Sequence, residues 1–271
     1  MKIKFNKSKR IFSLSIILII IAALLIAIKV SSAPEDIMQN TIPTTSSSTL
    51  TAKEKITFYA DKHGYTLSDY PEAVINLLAK QPESEEFVLA YPEKKGTKEN
   101  VKLKEYKNCT EVPLLIQWDT RWGYAPYGNG VVGLDGCGPT CLSMVSVYLT
   151  HNIKLTPDYI AEYAYKNGYY QEGVGTMWSL MTDGAEDLGL SAKEIPLDEQ
   201  TIKNSLDSGK VIICSVGEGD FTTKGHFIVL TDYNNGMISV NDPNSYSNSK
   251  QTYSYERLKP QIKNLWSYSK K

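Results

Sequence analysis

A cysteine held between two glycines and followed by proline, Gly136-Cys137-Gly138-Pro139-Thr140, stands just ahead of a helical pattern of apolar residues. Proline near a helix start is pre-organised in φ and gives up an N–H that would lack a partner anyway. The flanking glycines permit close approach and leave the thiol open. Cys137 is therefore expected at a helix N-terminus, where the macrodipole favours thiolate over thiol. A thiolate placed there can attack a carbonyl carbon. A buried structural cysteine beside a turn is the competing reading of the same residues.

A thiolate nucleophile needs an imidazole partner, and the chain offers only His63, His151 and His226. His63 precedes Gly64 at an expected helix end, where contact with the C-terminal dipole is explanation enough. His151 follows the helix that begins at Cys137, which puts it about 20 Å from the thiol. His226 remains, opening the apolar strand pattern Phe227-Ile228-Val229-Leu230.

The hairpin after His226 supplies a geometric argument. Asn234-Asn235-Gly236 suits a three-residue loop with Gly left-handed in a bulge. Tyr233 then pairs with Met237, and Asp242 falls opposite Ile228, a diagonal neighbour of His226. A two-residue loop would shift the register by one and send Asp242 to the other face. A carboxylate beside the imidazole would orient it; Asp242-Pro243-Asn244-Ser245 is also a good turn sequence in its own right. For the oxyanion that forms during acyl transfer, the Cys137 backbone N–H is one expected donor. Gln117, a polar residue closing the run Leu114-Leu115-Ile116, is a candidate for a second, and a glutamine at a strand end with no catalytic role is the competing reading.

The elements that must position these groups read as α+β. Cys137 to Leu149 repeats apolar residues at helical spacing, with Cys141, Met144, Val145 and Tyr148 on the side of Cys137. Further helices are expected at 156–167, 175–188 and 198–208. Strands are expected at Val211–Cys214, His226–Tyr233 and Met237–Asn241. Helices first and antiparallel strands later indicate α+β rather than a doubly wound sheet. Upstream, 51–110 reads as a helical extension packed on the main domain: one helix stopped by Gly64, a second capped by Ser68, and an extended piece at Phe87–Tyr91. Tyr169-Tyr170, Thr176-Met177-Trp178 and Gly219-Asp220-Phe221-Thr222 could line a cleft.

Gln117-Trp118-Asp119, Gly136 to Thr140, Gly225-His226-Phe227-Ile228-Val229 and Asn241-Asp242-Pro243 together resemble the C39-like peptidases, relatives of the bacterial leader peptidases that cut after double glycine. The resemblance covers about 112–268 and keeps the order Gln, Cys, His, Asp. It implies a papain-like cysteine peptidase fold for 111–271, with Cys137 on its central helix, His226 and Asp242 on the sheet and Gln117 at the oxyanion site. The 51–110 stretch also resembles extensions that precede such domains in Gram-positive bacterial proteins. Double-glycine leader peptidases are usually fused to an exporter, whereas no Walker A loop occurs here.

Location follows from the first thirty residues. Lys2, Lys4, Lys7, Lys9 and Arg10 form a basic cluster, and Ile11 to Ile28 is apolar apart from Ser13 and Ser15. As a helix that run would span about 27 Å, near the thickness of a bilayer core. Its length favours an uncleaved anchor; Ser31-Ser32-Ala33 also offers a signal-peptide cleavage site. Either way the positive charges stay inside and the rest faces outward. Residues 31–50, rich in Ser and Thr, read as a flexible stalk.

Net charge of −1 gives no reason to expect nucleic acid. Cys109, Cys141 and Cys214, left over if Cys137 is a free thiol, lack the spacing of a zinc site, and no metal or cofactor is expected. The sequence thus points to an extracytoplasmic thiol hydrolase acting on peptide or protein substrates. A cell-wall amidase or transpeptidase would use the same residues, and a catalytically silent peptide-binding domain would keep the same fold.

Overall fold

The structure, a computed structural model, describes residues 50–271. The expected membrane segment at 1–30 and the stalk up to residue 49 lie outside the described residues. Among the described residues no helix is long and apolar enough to cross a membrane.

Thr51 starts α1 (Ala52–His63) with a capping box: its hydroxyl accepts from the Glu54 N–H while the Glu54 carboxylate takes the Thr51 N–H. Gly64, at φ 77°, ends the helix as expected. In α2 (Glu72–Lys80) the cap position is Pro71; Ser68 falls in a 3-10 turn instead of capping the helix. Phe87–Tyr91 is helical, not extended, and divides between α3 (Glu85–Leu89) and α4 (Tyr91–Lys94). A short apolar run fits strand or helix equally, and packing with Ile56, Ala60 and Tyr124 decides for helix. The extension shares a core with the start of the main domain: Ile56, Val74, Phe87 and Val88 pack with Ile116, Trp118, Tyr124 and Val131.

The chain continues through the hairpin of β1 (Pro126–Tyr127) and β2 (Gly130–Val131) into α5 (Val132–Asp135), α6 (Cys137–Thr150) and α7 (Pro157–Lys166). A second hairpin, β3 (Tyr170–Gln171) with β4 (Gly175–Thr176), precedes α8 (Asp183–Asp187). The helix expected over 175–188 is thus largely replaced. Gly173 and Gly175, both at positive φ, make the tight turn that pulls 175–176 into strand pairing.

Then come β5 (Leu190–Glu194), α9 (Glu199–Asp207), β6 (Val211–Val216), β7 (His226–Asn234), β8 (Met237–Asn241), α10 (Tyr246–Ser249), β9 (Thr252–Ser254), α11 (Tyr255–Leu258) and β10 (Ile262–Lys270). The main sheet has the order β5-β10-β6-β7-β8-β9, and every pair in it is antiparallel. Its strands alternate between two cores. Ile213, Val229 and Trp266 pack with Leu142, Met144 and Val145 of α6. Ile212, Ile228 and Leu265 pack with Ile202 of α9 and Leu258 of α11. Covering both faces is why Val211–Val216 is buried throughout.

α6 departs from its one-sided pattern in the same way. Residues 138–147 are buried all round the helix, which makes it the central element of the helical part. Such a helix cannot show a clean apolar stripe.

Candidate active site

Cys137 is the first residue of α6, and its N-cap, Gly136, supplies no side-chain cap. The first-turn N–H groups have no partners within the helix, so Pro139 costs nothing there. Gly138 faces the β3–β4 hairpin: a Cβ on it would lie 2.7 Å from Thr176 Cγ2. The Thr176 hydroxyl is in turn 2.7 Å from the Tyr127 hydroxyl, fixing the hairpin over the helix start. Cys137 itself is half-buried and unbridged.

His226 is the first residue of β7 and is 8% exposed; Asp242, just past β8, is 1% exposed. Asp242 Oδ1 accepts from His226 Nε2 at 2.8 Å, which leaves Nδ1 for the thiol. The register behind this contact differs from the expected one. Asn234 pairs with Met237, so the turn has two residues, Asn235 and Gly236, at φ 51° and 78°. Left-handed values at both positions mark a type I′ turn. The slip it introduces is undone upstream, where Thr231 bulges between the Asp232–Ser239 and Leu230–Val240 pairs. Val229 then pairs with Asn241, the last pair of the ladder, and Asp242 follows directly after it.

Asp242 is held by more than the histidine. The Asn244 N–H donates to Oδ1 at 2.8 Å and Asn248 Nδ2 donates to Oδ2 at 2.8 Å. The Asp242 N–H goes to Ser249 Oγ at 2.9 Å. Burial by itself would lower the His226 pKa. The charge of Asp242 and its hydrogen bond, with smaller contributions of the same kinds from Cys137, outweigh that cost and hold the imidazole above its ordinary 6.5.

Gln117 is stitched to the same corner. Its N–H donates to the Pro243 carbonyl at 2.7 Å, and Trp118 Nε1 reaches the Asn244 carbonyl at 3.2 Å. Its side-chain amide lies under the turn that leads to Cys137, donating to the carbonyls of Gly133 at 3.0 Å and Leu134 at 3.2 Å. Its Oε1 is buried without a protein partner.

A cleft of about 1070 Å³ holds Cys137 and His226 in its wall. Asp135 and Lys224 are the other charged groups lining it, and Trp178, half exposed, adds an aromatic edge. The remaining histidines have other places. His63 stacks on Tyr59 in the last turn of α1, and His151 caps the far end of α6.

Residues 109–271 match the family described as Peptidase_C39 like. The chain belongs to the C39-like peptidases. It is accordingly a cysteine-type peptidase, a hydrolase whose substrates are peptides or proteins. Among solved structures, the peptidase domain of Streptococcus ComA, a bi-functional ABC transporter involved in a quorum-sensing pathway, is similar at 20% identity. That match covers 59% of this chain and 99% of the other, with a TM-score of 0.41. A protein described as a C39-like peptidase from Bacillus anthracis is similar at 17% identity, over 64% of this chain and 98% of the other, with a TM-score of 0.40. No curated protein matches.

In this C39-like peptidase the structure brings Cys137, His226 and Asp242 to one corner, with Gln117 beneath it. Tyr170, Thr176, Met177, Trp178 and Thr222 reach the cleft. Tyr169, Gly219, Asp220 and Phe221 are not among its lining residues: Asp220 pairs with Arg257 and Phe221 packs on Tyr253. Cys141 and Cys214 are buried free thiols whose pKa values burial pushes up, and Cys109 is half-buried and free. Two polar groups escaped the sequence reading. Asn248 lies six residues past Asp242 with no pattern joining them, whereas Asp135, two residues before Cys137, stood next to the motif.

Proposed function

We propose that this C39-like peptidase works through Cys137 as nucleophile, His226 as base and acid, and Asp242 as the group that orients His226. The observation that carries the reading is the buried 2.8 Å contact from His226 Nε2 to Asp242 Oδ1, in the wall of the cleft that holds Cys137. The Cys137 thiolate attacks the substrate carbonyl carbon and His226 protonates the departing amine. Water, deprotonated by His226, then releases the acyl group and restores the thiol. The Cys137 N–H is the first oxyanion donor. Gln117 is the second, once substrate draws its amide from the Gly133 and Leu134 carbonyls.

The site stands outside the cytoplasm on this proposal. Support comes from the basic cluster Lys2–Arg10 followed by the apolar run Ile11–Ile28. The order is then a membrane anchor or signal peptide at 1–30, a stalk at 31–50, the extension at 51–110 and the peptidase domain at 111–271.

The test is hydrolysis of a mixed peptide library by the full chain and by Cys137→Ala. Wild type should release new amino termini, and the variant should release none while keeping the wild-type circular dichroism. Equal hydrolysis by the variant would end the mechanism. Labelling intact cells with a membrane-impermeant amine reagent tests location: modification of lysines beyond residue 51 is the expected result.

A further inference from the structure

We propose that Asn248 is a positioning residue for the reacting pair, fixing the Asp242 carboxylate so that Oδ1 stays on His226. This rests on the reading of Cys137 and His226 as the catalytic pair. The Asp242 carboxylate is enclosed, and both of its oxygens are engaged. Oδ1 accepts from His226 and from the Asn244 N–H; Oδ2 accepts from Asn248 Nδ2 at 2.8 Å. Among the described residues Asn248 is the only donor on Oδ2.

The three bonds have different origins. The Asn244 N–H comes with the turn, since an aspartate commonly accepts from the backbone two residues on. It would survive a rotation of the carboxylate that exchanged the two oxygens. Asn248 alone distinguishes them. Without its amide, Oδ2 is a buried acceptor lacking a partner, and the carboxylate gains by turning toward other donors. His226 then loses part of the contact that aligns its ring and sustains its proton.

Asn248 is itself well held. Its N–H meets Ser245 Oγ at 3.2 Å, and its carbonyl accepts from the Gln251 N–H and the Tyr253 hydroxyl. None of these bonds involves the side chain, so a substitution there removes the amide donor and leaves the backbone of α10 supported.

The experiment measures alkylation of Cys137 by iodoacetamide against pH on the full chain, with the modified residue mapped by mass spectrometry. His226→Ala sets the scale for a lost partner. Asn248→Leu, close to Asn in size but without a donor, and Asn248→Ala should both shift the onset of reaction upward by about one pH unit. That shift corresponds to about tenfold slower labelling at pH 6. Ser249→Ala loosens the same turn without removing a donor from either carboxylate oxygen; it should lower the melting temperature and leave the profile in place. A wild-type profile in folded Asn248→Leu and Asn248→Ala, with His226→Ala shifted, overturns the inference and spares the catalytic pair. An equal shift in Ser249→Ala also overturns it. An unshifted profile in His226→Ala removes the catalytic reading, and the inference with it.

Discussion

Asp242 Oδ1 lies 2.8 Å from His226 Nε2, across sixteen residues of chain, because Thr231 is an extra residue fitted into β7. The type I′ turn at Asn235-Gly236 sets one register and the bulge at Thr231 sets another. Only the second pairs Val229 with Asn241, the residue just before Asp242. The turn suits the right-handed twist of the strands, and the bulge corrects the offset that it creates.

Asp242→Asn keeps the shape and removes the charge. Because that charge is a main cause of the raised His226 pKa, the variant should move the alkaline limb of kcat/KM to lower pH. In wild type the limb should stand well above 6.5. The rate itself should fall by about a hundredfold or more, the range general acid–base catalysis spans. An unchanged limb would mean that Asp242 does not sustain the imidazolium.

The same shift has a consequence for stability. His226 holds its proton more tightly folded than unfolded, so the stability it contributes is fully present below pH 6.5. That contribution is lost as pH rises through the higher folded value. Comparing wild type with His226→Gln by thermal melting, the gap in melting temperature should be widest at pH 6 and narrow steadily on the alkaline side. A gap that widens with pH would reverse the sign and refute the argument.

Much of this site was legible in the sequence, for reasons particular to each residue. Cys137 was marked by its glycines and proline, and His226 by elimination among three histidines. Asp242 follows from a register that the structure reaches by another route: the expected three-residue loop and the observed two-residue turn plus bulge both pair Val229 with Asn241. Bulges leave little trace in a single sequence because any residue can occupy the extra position. The strand at Ile262–Lys270 went unread even though it lies between β5 and β6. Lys263, Asn264, Ser267 and Ser269 dilute its apolar pattern, and its burial is set by strands distant in sequence. Asn248 was invisible for the same reason: its partner is chosen by the fold of the turn.

The extension should matter to the site as well as to stability. Phe87 is buried against two glycines: a Cβ on Gly133 would lie 2.4 Å from Phe87 Cζ, and one on Gly123 would lie 2.9 Å from Cε2. The ring also stacks on Tyr124, with centroids 4.8 Å apart. Gly133 in turn offers the carbonyl that accepts from Gln117. Phe87→Ala should therefore cost about 3–5 kcal/mol in urea unfolding and slow turnover in the protein that remains folded. Full turnover per folded molecule would show that the Gly133 turn stands without Phe87.

Asp135 should set a charge preference. It lines the cleft with Cys137, forms no ion pair among the described residues, and is exposed as a residue while partial burial of its carboxyl raises its pKa. A carboxylate near a thiolate works against the nucleophile unless a cation comes between them. Matched peptides differing only in Lys or Glu beside the scissile bond should therefore be cut unequally, with Lys preferred. The ratio should be about fivefold, the effect of about 1 kcal/mol from a partly exposed pair, and should shrink as salt is added. Asp135→Asn should remove the preference and Asp135→Lys should invert it. The preference should also fade as pH falls and Asp135 takes up its proton, earlier than an ordinary aspartate would. Retention of the Lys preference in Asp135→Lys would locate its source elsewhere in the cleft.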